Sequence, residues 1–139
     1  MNQPARQLLF ENTAGISEAD PAGFLRTTWG SHRRSLADTQ GLFNAMLRGL
    51  QQQRWGRILI NQAQMAPFTP DEQQWVAANW LPRAVAEGGY RFGAVVVSPN
   101  VLVRLATAYV TTNVQGLPLT YRTFDTDAQA TRWLAHQPG

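Results

Sequence analysis

The chain has 139 residues, of which 44% are hydrophobic and 15% charged, a balance typical of one globular domain and not of a disordered protein. It has no cysteine, which excludes disulfide bonds and thiolate chemistry. All 12 basic residues are arginines scattered along the chain, and the net charge of +3 comes without the clustered stripe that nucleic-acid binding needs.

Neither a membrane span nor an export signal is visible in the sequence. No apolar run approaches the roughly 20 residues that cross a bilayer, and the first residues, MNQPARQ, lack the apolar stretch of a signal peptide. We therefore expect a cytoplasmic protein without a membrane span.

The N-terminal quarter predicts a small meander of strands between about residues 7 and 30. Residues 7–12 and 15–20 form two strand candidates separated by a turn. In residues 24–30, apolar and polar side chains alternate, which predicts a third strand that is antiparallel and half-exposed.

Two helices are predicted from apolar side chains that recur at helical spacing. The first runs from Leu36 to about Arg54 and places these side chains on one face: Leu36, Thr39, Phe43, Met46, Leu47 and Leu50. The other follows Pro99, and its apolar side chains predict a further amphipathic helix: Val101, Leu102, Leu105, Ala108 and Tyr109.

Between these two helices, the chain predicts a strand, a helix and a second strand. Residues 57–61 and 90–98 contain unbroken apolar runs, as expected of strands that are covered on both faces. Because a helix connects them, the two strands are predicted to be parallel.

The ends of this connecting helix carry clear sequence signals. Thr69 and Glu72 have the spacing of a capping box, and Pro70 falls at the first helical position. Pro82 predicts a kink or a restarted turn, and the pair Gly88 and Gly89 predicts a left-handed end.

The C-terminal residues predict a last strand and a closing helix. The strand covers residues 119–125, and Thr126 with Gln129 repeats the spacing of a capping box. The closing helix is expected to bury Ala130, Trp133 and Leu134. Strands that alternate with helices in this way predict an α/β protein.

The segments that carry this order are RILINQA, PFTPDEQQW, WLPRAVAEGG, YRFGAVVVSP and YRTFDTDAQATRWL. Together they resemble the bacterial STAS-like proteins, relatives of the anti-sigma-factor antagonists and of the cytoplasmic domains of sulfate transporters. The resemblance begins at about Phe24. It implies a single domain over residues 1–139, with a mixed sheet of four to five strands and about four helices packed mainly on one side.

The resemblance also implies a role in regulated protein contacts, or in binding small or lipid-like ligands. In that family, a serine at the start of the helix after the central strand is phosphorylated by a partner kinase. The matching segment here, residues 61–69, contains no serine, and its only hydroxyl belongs to Thr69. Thr69 is the candidate switch residue, since a phosphate there would be favourable at a helix N-terminus, but helix capping already explains it, so the phosphorylation switch is in doubt.

Two places are candidate binding sites. Trp80 and Arg83 predict a contact surface, since aromatic and arginine side chains are enriched at interfaces, although a packed Trp80 is the simpler explanation. The carboxyl ends of parallel strands are the usual place for ligands. The polar residues there, which are also explained as ordinary loop residues, are Asn61, Gln62, Gln64, Ser98 and Asn100.

No catalytic constellation, metal site or cofactor motif is evident in the sequence. The two histidines, His32 and His136, lie without acidic partners at metal-ligand spacing. The paired acidic residues coincide with helix starts, and no glycine-rich phosphate loop precedes a helix. We therefore do not expect an enzyme. The resemblance implies a non-enzymatic interaction module that binds a protein partner or forms a homodimer, and the alternative is a small-ligand or lipid-like binding protein.

Overall fold

A computed structural model, which describes residues 5–112 and 116–138, contains one six-stranded sheet with its strands in sequence order. The strands are β1 (Gln7–Glu11), β2 (Gly15–Asp20), β3 (Phe24–Trp29), β4 (Arg57–Asn61), β5 (Phe92–Val96) and β6 (Thr120–Phe124). The first three strands are antiparallel, and β3 to β6 are parallel. The predicted α/β class and mixed sheet are confirmed, but the sheet has six strands instead of four to five because the whole meander joins it.

The helices connect the parallel strands and close the chain. They are α1 (Leu36–Gln53), α2 (Pro70–Trp75), α3 (Leu81–Gly88), α4 (Val101–Thr111) and α5 (Asp127–Ala135). A π-helical turn (Val76–Trp80) joins α2 to α3. In the described residues, no helix has the length and apolar character needed to cross a membrane.

The predicted ends of the α2–α3 connection are confirmed. Thr69 Oγ1 accepts a hydrogen bond from the amide of Glu72, whose side chain in turn accepts from the amide of Thr69. The helix restarts at Pro82, where a π-helical turn precedes α3, because a proline removes one helical hydrogen bond. Gly89 ends α3 with φ of 71°, the left-handed conformation that glycine adopts without strain.

Two apolar cores lie on the two faces of the sheet. The larger core packs α1 to α4 against sheet residues that include Leu25, Trp29, Ile58, Ile60 and Val95. The smaller core packs Ala130 and Leu134 of α5 against Phe24, Leu59, Ala94 and Val96. The helices therefore lie mainly on one face, and α5 alone in the described chain covers the other.

The prediction that β3 is half-exposed is wrong. It lies between β2 and β4, and of its six residues only Thr28 is not buried. Arg26, which gave the strand its polar appearance, is 5% exposed and forms ion pairs with Asp20 and Asp127. Arg26 is therefore buried with two carboxylate partners and does not face the solvent as predicted.

A second buried arginine, Arg57, holds the C-terminal end of α5 on the sheet. Its guanidinium donates to the carbonyl oxygen of Leu134 over 2.8 Å and to that of Gly23 over 3.0 Å. Cations near a helix C-terminus satisfy carbonyl groups that have no partner within the helix. Arg57 therefore ties α5 to the turn that precedes β3.

Candidate functional site

The predicted contact surface at Trp80 and Arg83 is wrong. Trp80 has no exposed surface, and its indole nitrogen donates to the carbonyl oxygen of Phe43 over 2.7 Å. Its ring packs against Phe43, with ring centroids 4.7 Å apart. Arg83 is half-buried and donates to Asn79 and Asn44. Trp80 is a core residue that joins the α2–α3 connection to α1.

Most of the polar residues after β4 and β5 organise their own loops. Asn61 Oδ1 accepts from the amide of Ala63, and Ser98 Oγ accepts from the amide of Asn100. Asn100 Oδ1 in turn accepts from the amide of Leu102 and so caps α4. These contacts match the alternative in which the residues serve as ordinary loop residues.

Gln62 has a different environment. It is 3% exposed, its Oε1 accepts from Thr107 Oγ1 over 3.0 Å, and its side-chain amide nitrogen donates to none of the described residues. Gln64 is exposed. Of the five polar loop residues predicted at the carboxyl ends, Gln62 alone lines the cleft described below.

The loops after β3 and β4 are joined by a buried ion pair. Arg34 Nε lies 2.8 Å from Glu72 Oε2, and the two side chains are 4% and 3% exposed. Thr39 also donates to the carboxylate, and Arg34 lies 5.2 Å from the ring centroid of Trp29. The carboxylate therefore cross-links α1, α2 and the loop that holds Arg34.

The titration of Glu72 follows from these contacts. Burial by itself raises the pKa of Glu72, but hydrogen bonds from Arg34, Thr39 and the amide of Thr69, with the charge of Arg34, bring the pKa below its ordinary value of 4.5. Glu72 is therefore ionised at neutral pH, and the predicted cap residue Thr69 belongs to this structural network.

Helix α4 presents its predicted apolar side to the exterior. Val101, Leu102, Leu105 and Tyr109 are 58%, 61%, 62% and 55% exposed. We call these four residues the outer face of α4. The side chains that α4 buries are smaller: Val103, Ala106 and Val110. The helix is thus apolar on both sides, and the side with the larger residues is not in the core.

Beside the outer face, a cleft of about 430 Å³ separates α4 from β5 and β6. Its apolar lining comes from Val95, Val97, Ala108 and Tyr121, and its polar lining from Gln62, Thr107, Thr111 and Thr123. Arg104 of α4, which is exposed, also lines it, whereas Arg122 of β6 lines its edge and holds its guanidinium 5.5 Å from the ring centroid of Phe124, on the α5 face of the sheet. No described residue that lines the cleft is acidic.

Tyr121 in the wall of the cleft is paired with the fully buried Tyr90. The hydroxyl of Tyr90 donates to that of Tyr121 over 3.4 Å, and the rings meet edge to face. Burial raises the pKa of Tyr121 to about 12, despite the lowering effect of the hydrogen bond, and raises the pKa of Tyr90 well above 10.0. Both phenols are therefore neutral at physiological pH.

Gly93 makes room for this pair. A Cβ atom at Gly93 would lie 2.4 Å from the hydroxyl oxygen of Tyr90 and 2.7 Å from Cε1 of Tyr121. Any side chain at this position of β5 would displace the tyrosines, so glycine is needed for the wall of the cleft to form.

The histidines lie apart from the cleft. His32 is exposed in the loop after β3, and His136 is exposed at the end of α5, where its Nδ1 lies 2.7 Å from the carbonyl oxygen of Arg132. Over the described residues, no three histidine, cysteine, aspartate or glutamate side chains come close enough together to hold a metal ion.

Comparisons of the chain with family models, curated proteins and solved structures find no match. The resemblance to STAS-like proteins therefore stays a prediction. The arginines and the tyrosine of the cleft were not predicted either, because Arg104, Tyr121 and Arg122 are single residues on two separate elements. The only sequence signal was the isolated arginine in the apolar run of α4.

Proposed function

We propose that this protein is a non-enzymatic, STAS-like regulatory module of the cytoplasm that binds a partner protein through the outer face of α4. The observation that carries the proposal is the exposure of four large apolar side chains on one helix. Among the described residues, the other strongly exposed large apolar side chains are Leu8 and Leu36, which lie on separate elements. Contiguous exposed apolar residues mark interaction sites.

The charge around the outer face indicates the chemistry of the partner. Arg104 is the one charged residue in the sequence of α4. Leucine, tyrosine and arginine together form the apolar centre and the polar rim of a typical interface. We therefore expect a partner with an apolar surface that is bordered by acidic side chains.

Site-specific photo-crosslinking in the native host tests this proposal. A photoreactive residue at Leu105 is expected to capture one protein, which is then identified and purified. The same residue at Arg48, exposed on α1, is the matched control and should not capture it. With the purified partner, Leu105→Asp should weaken binding by at least about tenfold, because a charge is placed in an apolar contact.

Two results would contradict the proposal. One is equal capture at Leu105 and Arg48, and the other is binding of the purified partner that Leu105→Asp leaves unchanged. Native mass spectrometry distinguishes binding to a partner protein from formation of a homodimer. A homodimer that Leu105→Asp dissociates would show that the outer face joins two copies of this chain instead.

The second candidate function is that of a small-ligand binding protein. The observation that favours it is the cleft beside α4, whose volume of about 430 Å³ lies within the range of small-molecule sites. Native mass spectrometry of the protein from its host should then detect a bound small molecule that is released on denaturation. A folded protein from which no bound small molecule is released would argue against this function.

A further inference from the structure

We propose that the outer edge of β6 binds an extended peptide segment of a partner protein, which joins the sheet as an antiparallel seventh strand. This inference goes beyond the proposed function, because the surface is the edge of the sheet and not the outer face of α4. Three features carry it: unpaired backbone groups on β6, a groove on each side of the strand, and an unpaired arginine beside it.

The backbone of β6 points alternately toward β5 and toward the exterior. The amide of Thr120 donates to the carbonyl oxygen of Arg91, just before β5, over 2.9 Å. Alternate residues of a strand point their backbone groups to the same side. Those of Tyr121 and Thr123 therefore point away from β5, and β6 has no second neighbour among the described strands.

This free edge has defined ends. The amide of Leu119 already donates to the carbonyl oxygen of Leu117 over 2.8 Å, and the amide of Asp125 donates to Gln129 Oε1 over 3.3 Å. Between them, the two outward-pointing amides of β6 donate to no described residue. An antiparallel strand would pair with both, and this orientation gives the more stable pairing per residue.

The two edges of the sheet differ in their protection. The pairing of β1 with β2 contains a register shift between Leu8 and Phe10. Irregularities of this kind hinder the addition of a further strand to an edge. The register of β6 with β5 is continuous from Thr120 to Phe124, so β6 lacks this protection.

A groove lies on each side of β6. The cleft of about 430 Å³ beside α4 is lined by Tyr121. A second groove of about 420 Å³ is lined by Phe124, by Asp125 after the strand and by Gln129 of α5, and the two grooves share Thr123. Successive side chains of a strand point to opposite faces, so an added peptide would place its side chains alternately in the two grooves.

Arg122 indicates the charge of the peptide. It is exposed, forms no ion pair with a described residue, and lies over the ring of Phe124 on the α5 face. A carboxylate on the residue opposite Arg122 would form a cross-strand ion pair. On the α4 side, Val95, Ala108 and Tyr121 favour apolar side chains. We therefore expect a segment with an acidic residue between two apolar ones.

A second copy of this chain fits the edge less well. Two β6 strands that pair antiparallel through Tyr121 and Thr123 would place the Arg122 residues of the two copies directly opposite each other. This is a position without backbone hydrogen bonds, where facing side chains are closest. Like charges there destabilise the pairing, whereas an acidic residue in a partner segment stabilises it.

Titration with the peptide Gly-Thr-Val-Glu-Val-Thr-Gly, followed by NMR of the full chain, tests the inference. We expect saturable shifts at the amides of Tyr121 and Thr123, with a Kd of about 1 mM or lower. Hydrogen exchange at these two amides should slow by at least about fivefold at saturation, because each gains an acceptor. The amide of Arg122, which points toward β5, should change little.

Modified peptides separate the backbone contribution from the charge. Methylation of both valine nitrogens keeps the side chains but removes two backbone donors, and should weaken binding by at least about tenfold. Replacing the glutamate by glutamine should weaken binding by about two- to fivefold, as should Arg122→Gln in the protein. Arg48→Gln, on α1, is the matched control and should bind as the unaltered chain does.

Thr123→Pro removes one outward amide without touching the bonds to β5, and should weaken binding by at least about fivefold. Thr123→Val keeps the amide and should bind as the unaltered chain does. Amide spectra establish that each variant is folded. If Thr123→Pro does not fold, the methylated peptide gives the same test on the unaltered chain.

Several outcomes would overturn the inference. They are the absence of saturable shifts at Tyr121 and Thr123, equal binding of the methylated peptide, and equal binding of the glutamine peptide. A homodimer that Thr123→Pro dissociates would also overturn it, since a second copy would then occupy the edge. The photo-crosslinking experiment at Leu105 uses no peptide, so a retained cross-link with a failed titration removes the edge site and leaves the proposed function intact.

Discussion

Helices α1 and α4 cross the same face of the sheet, but the surroundings of α1 are closed and those of α4 are open. Around α1, Leu50 is fully buried and Arg34 is paired with Glu72. Around α4, Leu105 is 62% exposed and Arg104 lines a cleft. Leucine and arginine side chains therefore stabilise the fold around α1, whereas around α4 they are available for binding.

The largest expected effect in the closed region is that of Arg34→Met. It leaves the buried carboxylate of Glu72 without its cation and should lower the free energy of unfolding by about 3–5 kcal/mol. Urea denaturation measures this change. The matched variant Arg104→Met should change the free energy of unfolding by less than about 0.5 kcal/mol. Similar losses in the two variants would contradict the division into closed and open regions.

Leu50→Ala removes a fully buried side chain from the core side of α1. We expect a loss of about 3 kcal/mol, because the transfer free energy of the leucine is lost and a cavity remains. Thermal and urea denaturation should agree on the direction. A loss below about 1 kcal/mol would mean that the core around α1 is less tightly packed than the structure indicates.

Acid should destabilise the closed region through Glu72. The pKa of Glu72 is lower in the folded chain than in the unfolded one, so its stabilising contribution is complete above the unfolded value and is lost as the pH falls through the folded value. The free energy of unfolding should therefore decrease below a pH of about 4.5. In Arg34→Met this decrease should be smaller, and an identical pH profile in both proteins would contradict the assignment.

The smallest expected effect is that of Leu105→Ser on the open side. The side chain is mostly exposed, so the free energy of unfolding should change by less than about 0.5 kcal/mol. Val103→Ser is the control on the buried side of the same helix and should be clearly destabilising, since it places a hydroxyl in the core. Equal destabilisation by the two variants would show that the outer face is also packed in the folded protein.

The sequence predicted helix ends and strand bounds correctly where they depend on residues that are close together in the chain. The capping boxes at Thr69 and Thr126 were predicted and are present, because each depends on residues three positions apart. The break before Pro82 and the left-handed Gly89 follow from the backbone chemistry of those two residues. The central strand β4 was predicted with its observed bounds, since its apolar run is covered on both faces.

Sites were predicted less well, because their residues come from separate elements. Gln62 was predicted from the position of strand ends, but its partner Thr107 lies 45 residues away in the sequence. Trp80 was proposed as a contact residue, yet the carbonyl oxygen of Phe43 satisfies its indole and allows burial. Neither contact has a signal in the local spacing of residues.

What the sequence by itself determined is the order and type of the elements, the ends of most helices, and a mixed α/β sheet, since these depend on hydrophobic periodicity, capping and backbone constraints. The tertiary structure alone decided which side of α4 faces the core. Both sides of that helix are apolar, and the smaller residues Val103, Ala106 and Val110 were buried while the larger ones stayed outside. It also decided which arginines are buried, because their carboxylate or carbonyl partners reach them only when distant parts of the chain are brought together.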